Sequence, residues 1–202
     1  MSVTPSLAQK IPPLHSLLVS SLLDALSSPS IRKSAVVSII SYLCRLKAGL
    51  AARKTFLQMR TKVLKTHVRK LRLDGNIGAY VGELAVVYFT GIKHTADWFL
   101  ASFKENEVAS GMDLAFFHHP SSPDSSAFIE WAMAQIEDFA EIFRKQVFTL
   151  DADPKLIEEA LRLTHTQSRK VGFYLHSLWG EHTAIILPPS SCKNMVSISD
   201  LC

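Results

Sequence analysis

The chain has 202 residues, of which 48% are hydrophobic and 20% charged. This balance excludes a disordered chain and leaves room for one substantial domain or a short stack of helical bundles. The net charge of +4 hides a strong split: twelve Lys/Arg lie between Ala25 and Leu73 with no acid among them, while twelve acids face four bases from Glu105 to His165. Opposed potentials of this kind favour charge-steered association and say nothing of fold.

The stretch Leu14 to Leu26 could pass for a signal-peptide core. Asp24 interrupts it and only Lys10 precedes it, so a short amphipathic helix within an N-terminal segment, 1–30, is the better reading. Ile31, Ala35, Val36, Ile39, Ile40, Leu43, Cys44 and Leu46 then recur at spacings of three and four, which predicts a helix. Its β-branched pairs suit a strand, but about 17 residues without a turn signal is too long for one. Gly49 is the expected stop.

A second stripe, Leu57, Thr61, Leu64, Val68 and Leu71, predicts a helix from about Arg53 to Leu73, and Asp74-Gly75-Asn76 a turn after it. The longest helix follows on the line Ile77, Val81, Leu84, Tyr88, Ile92, Thr95, Phe99 and Phe103, reaching ~42 Å at Lys104. Tyr80, Val87 and Trp98 lie off that line, so this helix is expected between neighbours. Residues 105–125 are predicted to be a loop. A further helix spans about Ser126 to Phe148, with Phe128, Ala132, Gln135, Phe139 and Ile142 on one face, flanked by Trp131 and Phe143. Asp153-Pro154 reads as a cap with proline at the first helical position, and the last helix runs through Leu156, Ala160, Leu163 and Gln167 to about Lys170. Periodicity then stops, which predicts a poorly ordered tail over 171–202. The fold class is all-α: an elongated helical bundle or rod.

Three segments resemble a known family. Arg53-Lys54-Thr55-Phe56-Leu57-Gln58-Met59-Arg60-Thr61 is similar to a segment of the C-terminal helical region of the exocyst subunit Exo-eighty-four. The longer match is Tyr80-Val81-Gly82-Glu83-Leu84-Ala85-Val86-Val87-Tyr88-Phe89, continuing into Ile92-Lys93-His94-Thr95-Ala96-Asp97-Trp98-Phe99. The third joins Phe128-Ile129-Glu130-Trp131-Ala132 to the run Ile136 to Phe148. The likeness covers about 13–170 in the right order, so 31–170 is read as a partial domain of this kind. It implies a cullin-repeat-like rod of stacked antiparallel helices, as in tethering complexes that link secretory vesicles to the plasma membrane. It also implies other exocyst subunits as partners, a cytoplasmic location peripheral to plasma-membrane secretion sites and vesicles, and neither catalysis nor a cofactor. The family places a coiled coil and a pleckstrin-homology domain ahead of this region. This chain starts at Met1 without them, so their small-GTPase and lipid contacts are not carried over. Residues 171–202 depart from the family's helical continuation, as read-through of a splice junction in a truncated chain would.

Among candidate sites the basic helix faces come first: Arg53, Lys54, Arg60, Lys62, Lys65, Arg69 and Lys70. Alternating with the apolar stripe, these residues read as a solvated surface. Solvated helices normally mix signs at i,i+4, so a purely basic stretch also fits an acidic neighbouring helix or anionic phospholipid headgroups. Nucleic acid is the rival partner, because helix 31–47, a short turn and basic helix 53–72 superficially resemble a helix-turn-helix. The apolar face of the second helix, its lack of an Asn or polar cluster for base edges, and the acidic second half speak against it. Gly78 and Gly82 are expected to let a neighbouring helix approach. His118 and His119 with Asp113 lack metal-ligand spacing, and Glu137, Asp138 and Glu141 read as surface ion pairs beside Arg144 and Lys145. Three cysteines without metal or redox spacing (Cys44, Cys192, Cys202) favour a reducing intracellular compartment. No apolar run reaches the ~18 residues of a membrane span, and no GxSxG elbow or phosphate-cradling loop is present. Apolar faces left uncovered predict a tendency to self-associate.

Overall fold

The computed structural model describes residues 4–109, 123–147 and 154–179, and these are all-α. The helices are α1 (Thr4–Leu26), α2 (Lys33–Arg45), α3 (Gly49–Val68), α4 (Ile77–Ala109), α5 (Pro123–Val147) and α6 (Pro154–Trp179). Of the loop expected at 105–125, residues 105–109 belong to α4 and 123–125 to α5, and residues 110–122 lie outside the described residues. Proline suits a first helical position, where its missing N–H has no helical partner to lose. The final helix passes the expected end at Lys170, and Val171 is buried. Residues 180–202 of the expected tail lie outside the described residues.

Two compact units are present: Met1–Val63 with Trp98–Leu114, and Leu64–Asp97 with Ala115–Cys202. In the first, α1 turns back onto α2 through Ser27–Arg32, and the ring nitrogen Nε2 of His15 lies 3.3 Å from the carbonyl oxygen of Leu46. Leu26, Val36, Ile40 and Leu43 are fully buried, as the α2 stripe requires, whereas Ala35 is exposed. The first part of α3 lies antiparallel to the end of α4. Going up α3, Arg53, Phe56 and Arg60 meet Phe103, Phe99 and Trp98 in descending order.

The stop after α2 is not Gly49, which is the first residue of α3. Lys47 takes the left-handed conformation with φ 59°. The N–H of Ala48 donates to Leu43 O at 2.8 Å and the N–H of Lys47 to Cys44 O at 2.9 Å. This pair of bonds is a Schellman motif, which satisfies carbonyls that the end of a helix leaves orphaned. Lysine there carries the steric cost of a Cβ in the left-handed region, ~1 kcal/mol, that glycine avoids. The sequence places its glycine two residues too late to serve.

In the second unit, Asn76 caps α4: its Oδ1 accepts the N–H of Ala79 at 3.0 Å, after Gly75 turns the chain with φ 84°. The predicted line along α4 is buried at Val81, Leu84, Tyr88, Ile92 and Thr95 here, and at Phe99 and Phe103 in the first unit. Phe139 of α5 is the hub of the second core. Its ring centroid lies 5.6 Å from Tyr88, 5.5 Å from Phe89 and 5.9 Å from Phe143. Tilted and edge-on ring pairs at these distances each add ~0.5–1.5 kcal/mol beyond area burial. The α6 helix runs in the same direction as α4, since Gly78 faces Glu159 and Gly82 faces Leu163. That close approach is looser than expected: a Cβ on Gly82 would meet Leu163 Cδ1 at an ordinary 3.6 Å. Tight packing falls instead at Gly91, where a Cβ would lie 2.6 Å from Leu64 Cδ1.

Two measurements test these arrangements. Lys47→Gly is expected to raise stability by ~0.5–1 kcal/mol, read from the urea midpoint. A loss would mean that the lysine side chain outweighs its backbone strain. Burial, with help from Asp138 and Tyr80, pushes the Tyr88 phenol up to about 12. The unfolded phenol ionises near pH ~10 while the folded one keeps its proton, so stability is full below that pH and falls as pH rises toward about 12. Urea midpoints stepped through this window are expected to fall less steeply for Tyr88→Phe than for the natural chain. Parallel curves would place the alkaline sensitivity elsewhere.

Candidate functional site

The seven basic residues singled out in the sequence divide into two structural groups. Arg53 and Arg60 are half-buried. The Arg53 guanidinium carbon sits 5.4 Å from the Phe103 ring centroid, and that of Arg60 lies 4.7 Å from the Trp98 ring. Both separations fall in the cation–π range, ~0.5–1 kcal/mol at exposed sites and more where water is excluded. Burial pulls the Arg60 pKa down from its ordinary value. These two arginines pack against aromatic rings of the first unit while staying partly open to solvent.

The reason is helical phase. Arg53 and Arg60 are seven apart, on the same line as Leu57 and Leu64, and the buried face of α3 is Ala52, Phe56, Leu57, Met59 and Leu64. The stripe drawn through Thr61, Val68 and Leu71 is rotated toward the edge of that face, where those three are half-buried. The hydroxyl of Thr61 donates back to Leu57 O at 3.1 Å, a local bond that suits such a boundary position. The spacing of seven between arginine and arginine, with leucines on the same line, is the signal that would have revealed the inward pair.

The other five side chains are exposed. Lys54 and Lys62 belong to the first unit. Lys65, Arg69 and Lys70 belong to the second, where Lys65 Nζ lies 3.5 Å from Asp138 Oδ2. An ion pair with both side chains roughly half in water contributes little to stability, ~0–1 kcal/mol. Arg69 and Lys70 sit where α3 unwinds, their N–H groups donating to Lys65 O and His67 O at 3.1 Å each. Cations at a helix C-terminus complement its dipole.

Other candidates resolve into local contacts. Glu141 pairs with Lys145, whose hydrogen bond and charge hold its carboxyl below the ordinary carboxylate range. His67 and His94 are exposed, while His118, His119 and Asp113 lie outside the described residues. Among the described residues no three His, Cys, Asp or Glu side chains are close enough to hold a metal ion, and no helix is long and apolar enough to cross a membrane. The second unit carries a groove of about 690 Å³ between the start of α4 and α6. Leu71, Val86, Val87 and Leu163 line it together with Gly78, Gly82, Glu83 and Glu159. Its lining places no nucleophile beside a base.

The class of protein this fold defines is an all-α helical-bundle protein. Residues 2–173 match the family model described as exocyst component 84 C-terminal, and the chain belongs to that family. It is 40% identical over 154 residues to exocyst complex component EXO84 of Cryptococcus neoformans, covering 76% of this chain and 20% of that protein. It is 27% identical over 146 residues to exocyst complex component 8 of Xenopus laevis and to that of Homo sapiens, covering 69% of this chain in both cases. The chain thus spans about a fifth of the length of these relatives (20%, 19% and 18%). No solved structure matches.

The inward placement of Arg60 is tested by paired substitutions. Arg60→Ala is expected to destabilise by ~1–3 kcal/mol, through lost packing on Trp98 as well as lost charge. Lys54→Ala, at an exposed position of the same helix, is expected to stay within ~0.5 kcal/mol of the natural chain. Equal effects in urea melts would refute the division of the basic set.

Proposed function

We propose that this chain is a non-catalytic scaffold segment of an exocyst-type tethering complex, which holds secretory vesicles at the plasma membrane before fusion. The observation that carries the reading is the family match over residues 2–173. The relatives are named as exocyst components, so other subunits of that complex are the expected partners and secretion sites at the plasma membrane the expected location. The match does not favour a nucleic-acid-binding module.

Within this reading, association works through helix faces. Lys54 and Lys62 on one unit, and Lys65, Arg69 and Lys70 on the other, offer cations to acidic helices of neighbouring subunits. Exposed bases of this kind steer encounter and fix register more than they add affinity. Arg53 and Arg60 hold the scaffold's shape and leave recognition to the five exposed cations. Catalysis and cofactors have no part in such a role.

The test is affinity purification of the tagged full chain from cells, with identification of the recovered proteins. Recovery of named exocyst subunits is expected. Charge reversal of Lys54 and Lys62, or of Lys65, Arg69 and Lys70, is expected to lower it about tenfold, with a matching loss of salt sensitivity. Soluble, helical chain that recovers no exocyst subunit would overturn the scaffold reading. Undiminished recovery by both charge-reversed variants would move the contacts off the basic faces.

A further inference from the structure

Apolar side chains run along α1, and those of its earlier part are in water: every residue from Ile11 to Leu18 is exposed. Leu26 is fully buried, with Val19, Leu22 and Leu23 half-buried alongside it. Earlier along the helix, Ile11 is 62% exposed, Leu14 62%, Leu17 67% and Leu18 49%. These four stand at i, i+3, i+6 and i+7, which places them on one continuous strip. A single exposed leucine is ordinary on a soluble protein, but four large aliphatic side chains on adjoining turns are not.

Charge indicates what covers them. From Met1 to Val63 the sequence holds nine bases and a single acid, Asp24. The contact of His15 with Leu46 O brings the turn of α1 that carries Leu14 and Leu18 beside the end of α2, where Arg45 and Lys47 are exposed. Arg32 and Lys33, also exposed, start α2 just after α1 ends. The other edge carries exposed Ser16 and Ser20, and the single acid, exposed Asp24, follows Leu17 by seven residues on the same line. An aliphatic strip with bases beside it combines the two signals of interfacial helices: insertion of apolar side chains and attraction to anionic headgroups.

We propose that the Ile11, Leu14, Leu17 and Leu18 side of α1 is a membrane-contact face that seats shallowly in an anionic bilayer surface, with Arg45 and Lys47 held against the headgroups. The four aliphatic side chains enter the acyl boundary while the Leu26 end of α1 stays buried, so the first unit need not open. This contact needs no other subunit, and it gives a tethering segment a direct hold on one of the surfaces it joins.

The test is flotation of the full chain with vesicles of phosphatidylcholine alone and of phosphatidylcholine with phosphatidylserine. Binding is expected to the anionic vesicles and to weaken with salt. The pair Leu14→Ser with Leu17→Ser is expected to lower partitioning about tenfold or more while leaving the circular dichroism unchanged. Arg45→Gln with Lys47→Asn, asparagine being tolerant of the left-handed backbone, is expected to lower it to a similar extent and flatten the salt response. Leu50→Ser alters a leucine that is 78% exposed on α3 and is expected to change nothing. The proposal is overturned if the natural chain ignores anionic vesicles, if the Leu14/Leu17 pair floats as well as the natural chain, or if Leu50→Ser loses binding equally. A Leu14/Leu17 variant that floats normally but no longer recovers exocyst subunits would assign the strip to a protein partner. Because the vesicle assay contains this chain alone, its failure leaves the subunit reading untouched.

Discussion

Both units rest on keeping one apolar line of α4 out of water. From Val81 to Phe103 the side chains on that line are almost fully buried, and the partners differ from unit to unit. In one, Phe99 and Phe103 take Phe56 and the Arg53 guanidinium; in the other, Tyr88 and Phe89 take Phe139. Each buried aromatic side chain contributes ~1.5–3 kcal/mol of transfer free energy, so these rings dominate the stabilisation of their cores. Once that line is satisfied, the outward residues of α1, α2 and α3 carry little structural burden. They are available to contact other molecules.

That division explains how a basic stretch without acids can belong to a stable fold. Two of its arginines lie against aromatic faces, where the ring quadrupole replaces some of the lost hydration. Lys65 pairs with Asp138 of the acidic half, and Arg69 and Lys70 sit at a helix end whose dipole favours cations. Like-charge repulsion among the remaining exposed bases is screened by salt over about a Debye length.

The helices themselves were legible because periodicity needs only local geometry. The α4 line was read correctly at seven of its eight positions, with Ile77 half-buried at the helix start. The face of α5 was read correctly at Phe128, Ala132, Gln135 and Phe139. Where helices end was less legible. The left-handed residue after α2 is Lys47, although a glycine stands two positions later, and α6 continues through a segment whose apolar residues show no clear period. Helix termini depend on hydrogen bonds that close only when the following chain turns back, so residue type alone underdetermines them.

What the sequence determined by itself was the all-α class, the positions of most helix faces and the family, because apolar spacing and long ordered motifs are local properties of the chain. What only the tertiary structure decided was which exposed-looking residues are exposed. Arg53 and Arg60 turn inward because Phe103 and Trp98, more than thirty-five positions away in sequence, supply faces for them. Leu14 and Leu17 stay in water, as does every residue of α1 from Ile11 to Leu18, while Leu26, farther along the same helix, is buried. Burial is a property of what lies opposite a side chain, and that is settled by packing between distant segments.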